Sequence, residues 1–152
     1  MTNSFEFSNK FDFIHGDRID LRIREQNPGN DVLIPFYYYD IILKPNNEVI
    51  GKISIRIGHN YHSKYNGNIG YEIDEPSRGH GYALEAMKMV LTIAKYHNMS
   101  YLYLTCTHNN FPSVVTIEKA GGVLVEEVVP PSDYFAYRPN IPLQRIYKLN
   151  LE

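Results

Sequence analysis

The chain has 152 residues, 43% of them hydrophobic, enough for one well-buried core and too few for two, so one domain over residues 1–152 is expected. Fifteen Lys and Arg against seventeen Asp and Glu leave a formal charge of −2, and no basic stripe appears, which argues against nucleic acid as a partner. No apolar run approaches the ~18–20 residues that span a bilayer, and the start Met1–Glu6 has no basic region leading into an apolar one, so no membrane segment and a cytoplasmic location are expected.

In chain order, Ile19–Ile23 is the first strand signal. Residues 24–36 then carry Asn27-Pro28-Gly29-Asn30 and Pro35, which leave room for at most a short helical turn. Tyr37–Leu43 meets Val49–Ile57 across Pro45-Asn46-Asn47-Glu48, a hairpin signal. Tyr37, Tyr38 and Tyr39 must point alternately to two faces, so at least one packs inside and one is available to line a pocket. In the second strand Ile53, Ile55 and Ile57 alternate with Lys52, Ser54 and Arg56, which predicts one buried face and one wet face. A polar loop, His59–Gly67, precedes a fourth strand at Asn68–Ile73.

Arg78-Gly79-His80-Gly81-Tyr82-Ala83 follows that strand and opens an amphipathic helix. Two glycines let a ligand approach the backbone, and the first N–H groups of a helix have no internal partners, so the turn is either an anion cradle or a plain tight connection. Two other nucleotide motifs are excluded by residue: Leu84 stands where a dinucleotide fingerprint needs a third glycine, and no G-K-[ST] occurs. Ala83, Met87, Val90, Leu91 and Ala94 form the apolar stripe, Glu85, Lys88, Thr92 and Lys95 the opposite face, and Asn98 the stop.

Tyr101–Thr107 reads as a strand returning beside Asn68–Ile73, with the lone Cys106 on the face of Leu102 and Leu104, a structural thiol in a reducing compartment. Late strands are expected at Gly122–Val128 and Arg145–Leu149. Between them Pro130, Pro131, Pro139 and Pro142 mark a long excursion, either a functional loop or a disordered flap. The six histidines lack metal-ligand spacing, so no metal is expected. His108 is read as a loop histidine or one that approaches the site from the end of its strand.

Arg78-x-x-Gly81-x-Ala83 resembles the R/Q-x-x-G-x-G/A signature of the GNAT acetyltransferase superfamily. The run Asn110-x-x-Ser113-x-x-x-Ile117-Glu118-Lys119-x-Gly121 resembles a second element, N-x-x-S-x-x-x-hydrophobic-E-K-x-G, in a branch with ribosomal-protein and small-molecule N-acetyltransferases. The resemblance is specific over residues 68–122, looser over 37–57 and absent from 1–36 and 123–152. It implies an α/β (α+β) fold: a mixed, mostly antiparallel sheet with a phosphate-binding turn and helix after the fourth strand. It also implies acetyl-CoA as co-substrate and transfer of acetyl to a primary amine by direct attack. By this resemblance Ile73, Arg78, Gly79, His80, Gly81, Tyr82, Ala83, Asn110 and Ser113 bind the cofactor.

Proton handling is the catalytic requirement, because an amine is mostly protonated near neutral pH and a thiolate leaves better with a donor at hand. Glu72, six residues before Arg78, is the expected base; the alternative is a surface glutamate. Many relatives place a tyrosine acid seven residues after the asparagine, where this chain has Ile117. Ser113 inherits the role by resemblance, unless it merely caps the helix beside Pro112. Asn110 either orients the pantetheine amide or closes the turn.

In the resembled fold two helices after the first strand wall the acceptor site, and residues 24–36 cannot supply them. The expected walls are residues 59–66 and 129–142, with Tyr61, Tyr65, Tyr134 and Tyr137 as flat faces and Asp133 attracting a cationic amine. The expected acceptor is a small-molecule amine or a protein N-terminus. A catalytically lapsed CoA-binding module is the alternative, and an exposed late strand offers a surface for a homodimer.

Overall fold

The computed structural model describes residues 5–151, so the reading of Met1–Ser4 and the last residue of the expected domain lie outside it. Among the described residues eight strands and three α-helices follow in the order β1 (Phe13–His15), β2 (Ile19–Asn27), β3 (Phe36–Leu43), β4 (Glu48–Arg56), α1 (Ser63–Asn66), β5 (Ile69–Ile73), α2 (Tyr82–Tyr96), β6 (Tyr101–Thr107), α3 (Phe111–Lys119), β7 (Val123–Val128) and β8 (Gln144–Asn150). β1 is short and carries no sequence signal of its own, and with it the phosphate turn and α2 follow the fifth strand rather than the fourth. The mixed, mostly antiparallel architecture is the one expected.

Strands β1 to β5 pair antiparallel in chain order, and β6, β8 and β7 form a second antiparallel sheet. The expectation that β6 returns beside β5 holds at one end only. Asn68, fully buried, sits at that junction: its N–H donates to the Tyr103 carbonyl at 2.7 Å and its Oδ1 accepts the Tyr103 N–H at 2.9 Å. Its Nδ2 donates to the carbonyls of Arg56 and Gly58, so the side chain ties the two sheets with every polar atom satisfied. Beyond Asn68 the strands part into separate sheets, which opens a wedge between β5 and β6.

The apolar stripe of α2 packs on β2, β4 and β5. Ala86, Met87, Val90, Ile93 and Ala94 are buried, so Ile93 and Ala86 belong to the stripe and Leu91 lies at its margin. The α2 helix ends at Tyr96, and Asn98 takes the left-handed conformation (φ 64°) that halts it, as expected. Cys106 lies buried with Leu102 and Leu104.

Tyr37 and Tyr39 are fully buried, and each needs a partner for its hydroxyl. Tyr39 donates to the Phe11 carbonyl at 2.7 Å, while the Tyr37 hydroxyl accepts the Ser8 N–H and shares a hydrogen bond with His97 Nε2 at 2.8 Å. Tyr38 points to the other face, as alternation demands. A bulge at Arg24 breaks the alternation of β2: Ile23 faces Tyr39, yet Glu25 faces Tyr38. Both Arg22 and Arg24 thereby reach Asp40, at 3.2 and 2.7 Å.

Residues 28–35 form an irregular loop without a helix. The segment 129–143 also lacks regular structure, but it is docked rather than a disordered flap: Tyr134 is buried, the Tyr61 hydroxyl donates to Asp133 at 2.6 Å, and the Phe135 N–H donates to His62 Nδ1 at 3.1 Å. Among the described residues, no helix is long and apolar enough to cross a membrane.

Candidate active site

The turn between β5 and α2 is shaped by two glycines in the left-handed region, Gly79 (φ 86°) and Gly81 (φ 81°). An added Cβ at Gly79 would meet nothing within 4 Å, so the turn is open on the side where a ligand would come. Gly81 precedes the first residue of α2 and has no side chain to cap it, leaving the N–H groups of that turn free for an anion.

The turn is held from outside by Arg18, a residue without a sequence signal. Its Nη1 donates to the His80 carbonyl at 2.8 Å, its Nε and backbone N–H both donate to the Glu85 carboxylate at 2.8 Å, and its guanidinium lies over the Tyr82 ring. Glu85 thus belongs to this clamp rather than to a simple wet face. Burial would push its carboxyl up, but the two Arg18 donors hold it below the usual carboxylate range. Arg78 folds back, its Nε donating to the Ile73 carbonyl at 2.8 Å.

On the far side of the wedge, α3 presents Asn110 and Ser113. Asn110 is the helix cap, its Oδ1 accepting the Ser113 N–H at 3.3 Å, so Ser113 is not the capping residue. This hydrogen bond closes the turn and leaves the Ser113 hydroxyl for other work. Ile117, where relatives are expected to carry a tyrosine, is core at 2% exposure.

A hydroxyl nevertheless reaches Ser113 from across the wedge. Tyr71 of β5 donates its O–H to Ser113 Oγ at 3.0 Å. Burial pushes the Tyr71 phenol above its usual value, so it stays protonated and remains a donor. Tyr71 carries no sequence signal for this role; it reaches α3 where β5 and β6 belong to separate sheets.

Glu72, Ile73, Arg78, Gly79, Gly81, Tyr82, Ala83, Asn110 and Ser113 line one cleft of about 650 Å³, together with Tyr71 and Lys119. His80 is the exception among the expected cofactor residues. It sits between the two left-handed glycines, outside the cleft lining, with its carbonyl taken by Arg18 and its ring against Tyr82. His108 is exposed on its loop and lines neither this cleft nor the next.

A second cleft, about 480 Å³, lies over the other face of β3, β4 and β5. Its floor is the face expected to be wet: Lys52, Ser54 and Arg56, joined by Tyr38 and Glu72. Ser54 is buried and Arg56 half-buried, because the loop at Leu33 and the docked excursion at Phe135 cover them. The two segments expected as walls do border it, but through Asn66 and Phe135. Tyr65 and Tyr134 line a separate hollow with Pro130 and Pro142, Tyr61 and Tyr137 line neither cleft, and Asp133 is engaged by Tyr61. The two clefts share Tyr71 and Glu72.

A search of curated proteins finds no significant match. Among solved structures, a GNAT-family acetyltransferase from Bacillus anthracis superposes with a TM-score of 0.66 at 18% identity, covering 91% of this chain and 98% of that one. An acetyltransferase from Salmonella typhimurium that modifies the N-terminal serine of a 50S ribosomal subunit protein gives 0.59 at 19% identity over 77% of this chain and 64% of its own. A microcin self-immunity acetyltransferase in complex with acetyl-CoA and AMP gives 0.58 at 18% identity, over 76% and 61%. At these identities the likeness establishes the fold. The profile of the acetyltransferase (GNAT) domain matches residues 12–123, nearly three quarters of the sequence, and on that match the chain belongs to the GNAT acetyltransferase family.

Proposed function

We propose that this acetyltransferase uses acetyl-CoA to acetylate a primary amine, with the cofactor in the cleft at the α2 turn and the amine in the cleft over β3 to β5. The reading rests chiefly on the sharing of Tyr71 and Glu72 between the two clefts, which sets a group in one against a group in the other. The open turn at Gly79 and the uncapped start of α2 fit a pyrophosphate. A solved GNAT neighbour in complex with acetyl-CoA supports the same choice of co-substrate.

Bound there, acetyl-CoA would supply an acetyl thioester whose C–S bond breaks as the N–C bond to the amine forms. Glu72 accepts the proton that the ammonium must lose before its nitrogen can attack. Ser113 delivers its hydroxyl proton to the departing sulfur. The Tyr71 hydrogen bond to Ser113 Oγ directs the serine hydrogen away from the phenol and replaces the proton that Ser113 gives up, Tyr71 regaining its own from water once CoA has left. The missing tyrosine at Ile117, which with the absent acceptor-side helices is the ground for a lapsed module, thus has a substitute from another element.

The acceptor is a small-molecule amine or a protein N-terminus, the latter in keeping with the neighbour that modifies an N-terminal serine. Incubating the protein with acetyl-CoA and a panel of amines tests the reading. Thiol release that depends on the amine and matches the acetylated product by mass is expected. Thermal stabilisation by CoA with no thiol release across the panel would instead indicate a binding module.

A further inference from the structure

Among the described residues Arg18, Arg22, Arg24 and Arg145 pair with carboxylates, whereas Arg56, Arg78 and Arg138 do not. Arg56, in the floor of the second cleft, makes no such pair among the described residues. Its Nη1 donates to the carbonyls of Asn66 and Gly67 at 3.0 and 2.9 Å, which anchors the guanidinium against the end of α1. Its Nε and Nη2 have no hydrogen-bond partner among the described residues. A half-buried guanidinium cannot shed its proton and is costly to leave without a counter-charge. Burial indeed draws its pKa below the usual value, whereas Asp40 raises that of Arg24.

The free edge of Arg56 faces a bare patch of β5. Gly70 stands opposite Ser54 in the ladder, and a Cβ built on it would lie 2.8 Å from Arg56 Nη2 and 3.3 Å from Ser54 Oγ. Any larger residue would push the guanidinium out of this position. Ser54 is a buried residue, and its hydroxyl, which lines the cleft, has no side-chain hydrogen bond of its own among the described residues. The guanidinium thus lies against the bare backbone of Gly70, and its Nε–Nη2 edge and the Ser54 hydroxyl, both in the cleft lining, make a donor set that suits a carboxylate or phosphate.

The other charges in the cleft are arranged along the strand. Lys52 pairs in register with Glu72 at one end, Arg56 lies four residues further along β4, and Glu25 is on the β2 side with its carboxylate accepting from Asn27 Nδ2. At ~3.3 Å per residue the Glu72 row and the Arg56 row are roughly 13 Å apart at the backbone. The cleft therefore has Glu72 and its cross-strand neighbour Lys52 at one end and the anchored guanidinium of Arg56 at the other.

We propose that the acceptor is a small molecule carrying an anionic group, a carboxylate or a phosphate, at the end remote from its amine, and that Arg56 with Ser54 binds that group. This rests on the reading that the second cleft takes the acceptor. It assigns Arg56 to specificity, with no part in proton transfer.

The test is calorimetric binding to the full chain, with and without saturating CoA. The probes are ω-amino acids of graded chain length, the matching amino alcohols and the matching aminoalkyl phosphates. Anionic members are expected to bind about ten- to hundredfold more tightly than neutral ones of equal length, as for a charge-assisted pair. The comparison of carboxylate with phosphate identifies the preferred group. Arg56→Gln should erase the preference, and Arg56→Lys should restore part of it. Equal or absent binding of anionic and neutral chains to the wild-type protein overturns the proposal, as does a preference that persists in folded Arg56→Gln. Because binding is read without turnover, a failure to acetylate any amine counts against the transferase reading and leaves this result standing on its own.

Discussion

Replacing Gly81 with Asp tests the phosphate turn most sharply, because the structure separates the cost to folding from the cost to binding. Gly81 sits at φ 81° and ψ 13°, where a residue with a Cβ costs about 1–2 kcal/mol. The nearest atom to such a Cβ is Arg18 Nη2 at 3.5 Å, an ordinary contact, so no clash adds to the strain. For a chain of this size ~1 kcal/mol lowers Tm by about 2–4 °C, and the variant should fold. A carboxylate set ~4 Å from a phosphate charge is repelled by about 1–4 kcal/mol between effective dielectrics of 80 and 20. Arg18 is within reach of the new carboxylate and offsets part of this, which points to the lower half of the range. CoA affinity should therefore fall about five- to seventyfold. Gly81→Ala carries the strain without the charge and should lose much less. Calorimetry with CoA, alongside thermal denaturation of each variant, reads both quantities. A folded Gly81→Asp protein that binds CoA as tightly as the parent would refute the placement of the pyrophosphate.

Glu72→Gln should lower kcat by ~10²- to 10⁴-fold and remove the acidic limb of the pH–rate profile, and unchanged turnover and pH dependence would move the base elsewhere. Ser113→Ala should cost less, ~10- to 10²-fold, and Tyr71→Phe no more than that, with CoA affinity retained in both. If Tyr71 acts through Ser113, the double variant should be no slower than Ser113→Ala alone, and additive losses would contradict the relay. Burial lowers the His97 pKa, so the unfolded chain takes up its proton first. That share of stability is complete above the unfolded value of ~6.5 and shrinks as pH falls below it, so Tm should be flat at pH 7–8 and decline from about pH 6.5 downward. His97→Gln should make the decline shallower, with His59, whose pKa burial also lowers, keeping a share of it; a Tm that rises on acidification would show the sign to be wrong.

Where periodicity is local, the sequence reads well. The strands Tyr101–Thr107 and Phe36–Leu43 and the helix Tyr82–Tyr96 fall within a residue or so of expectation, because each carries a clean alternation or helical stripe. The Gly79 and Gly81 turn was legible for the same reason: glycine spacing is a backbone signal. What escaped detection depends on contacts between distant segments. Arg18 lies 67 residues from Glu85, and nothing in its neighbourhood marks it as a clamp. Tyr71 and Ser113, 42 residues apart, meet only because β5 and β6 diverge beyond Asn68. Ser54 and Arg56 obey the alternation that called them solvent-facing, yet Phe135, far along the chain, helps to roof them. Periodicity identifies which face of a strand is polar, but not whether water or a cleft lies against that face.

The most direct measurement is a crystal structure of the protein with CoA. The expected result places the pyrophosphate against the N–H groups of Gly79 to Tyr82 and the sulfur within ~3.5 Å of Ser113 Oγ, facing Tyr71 and Glu72. CoA bound with its phosphates away from this turn, or with its sulfur remote from the Tyr71–Ser113 pair, would contradict the assignment of the site.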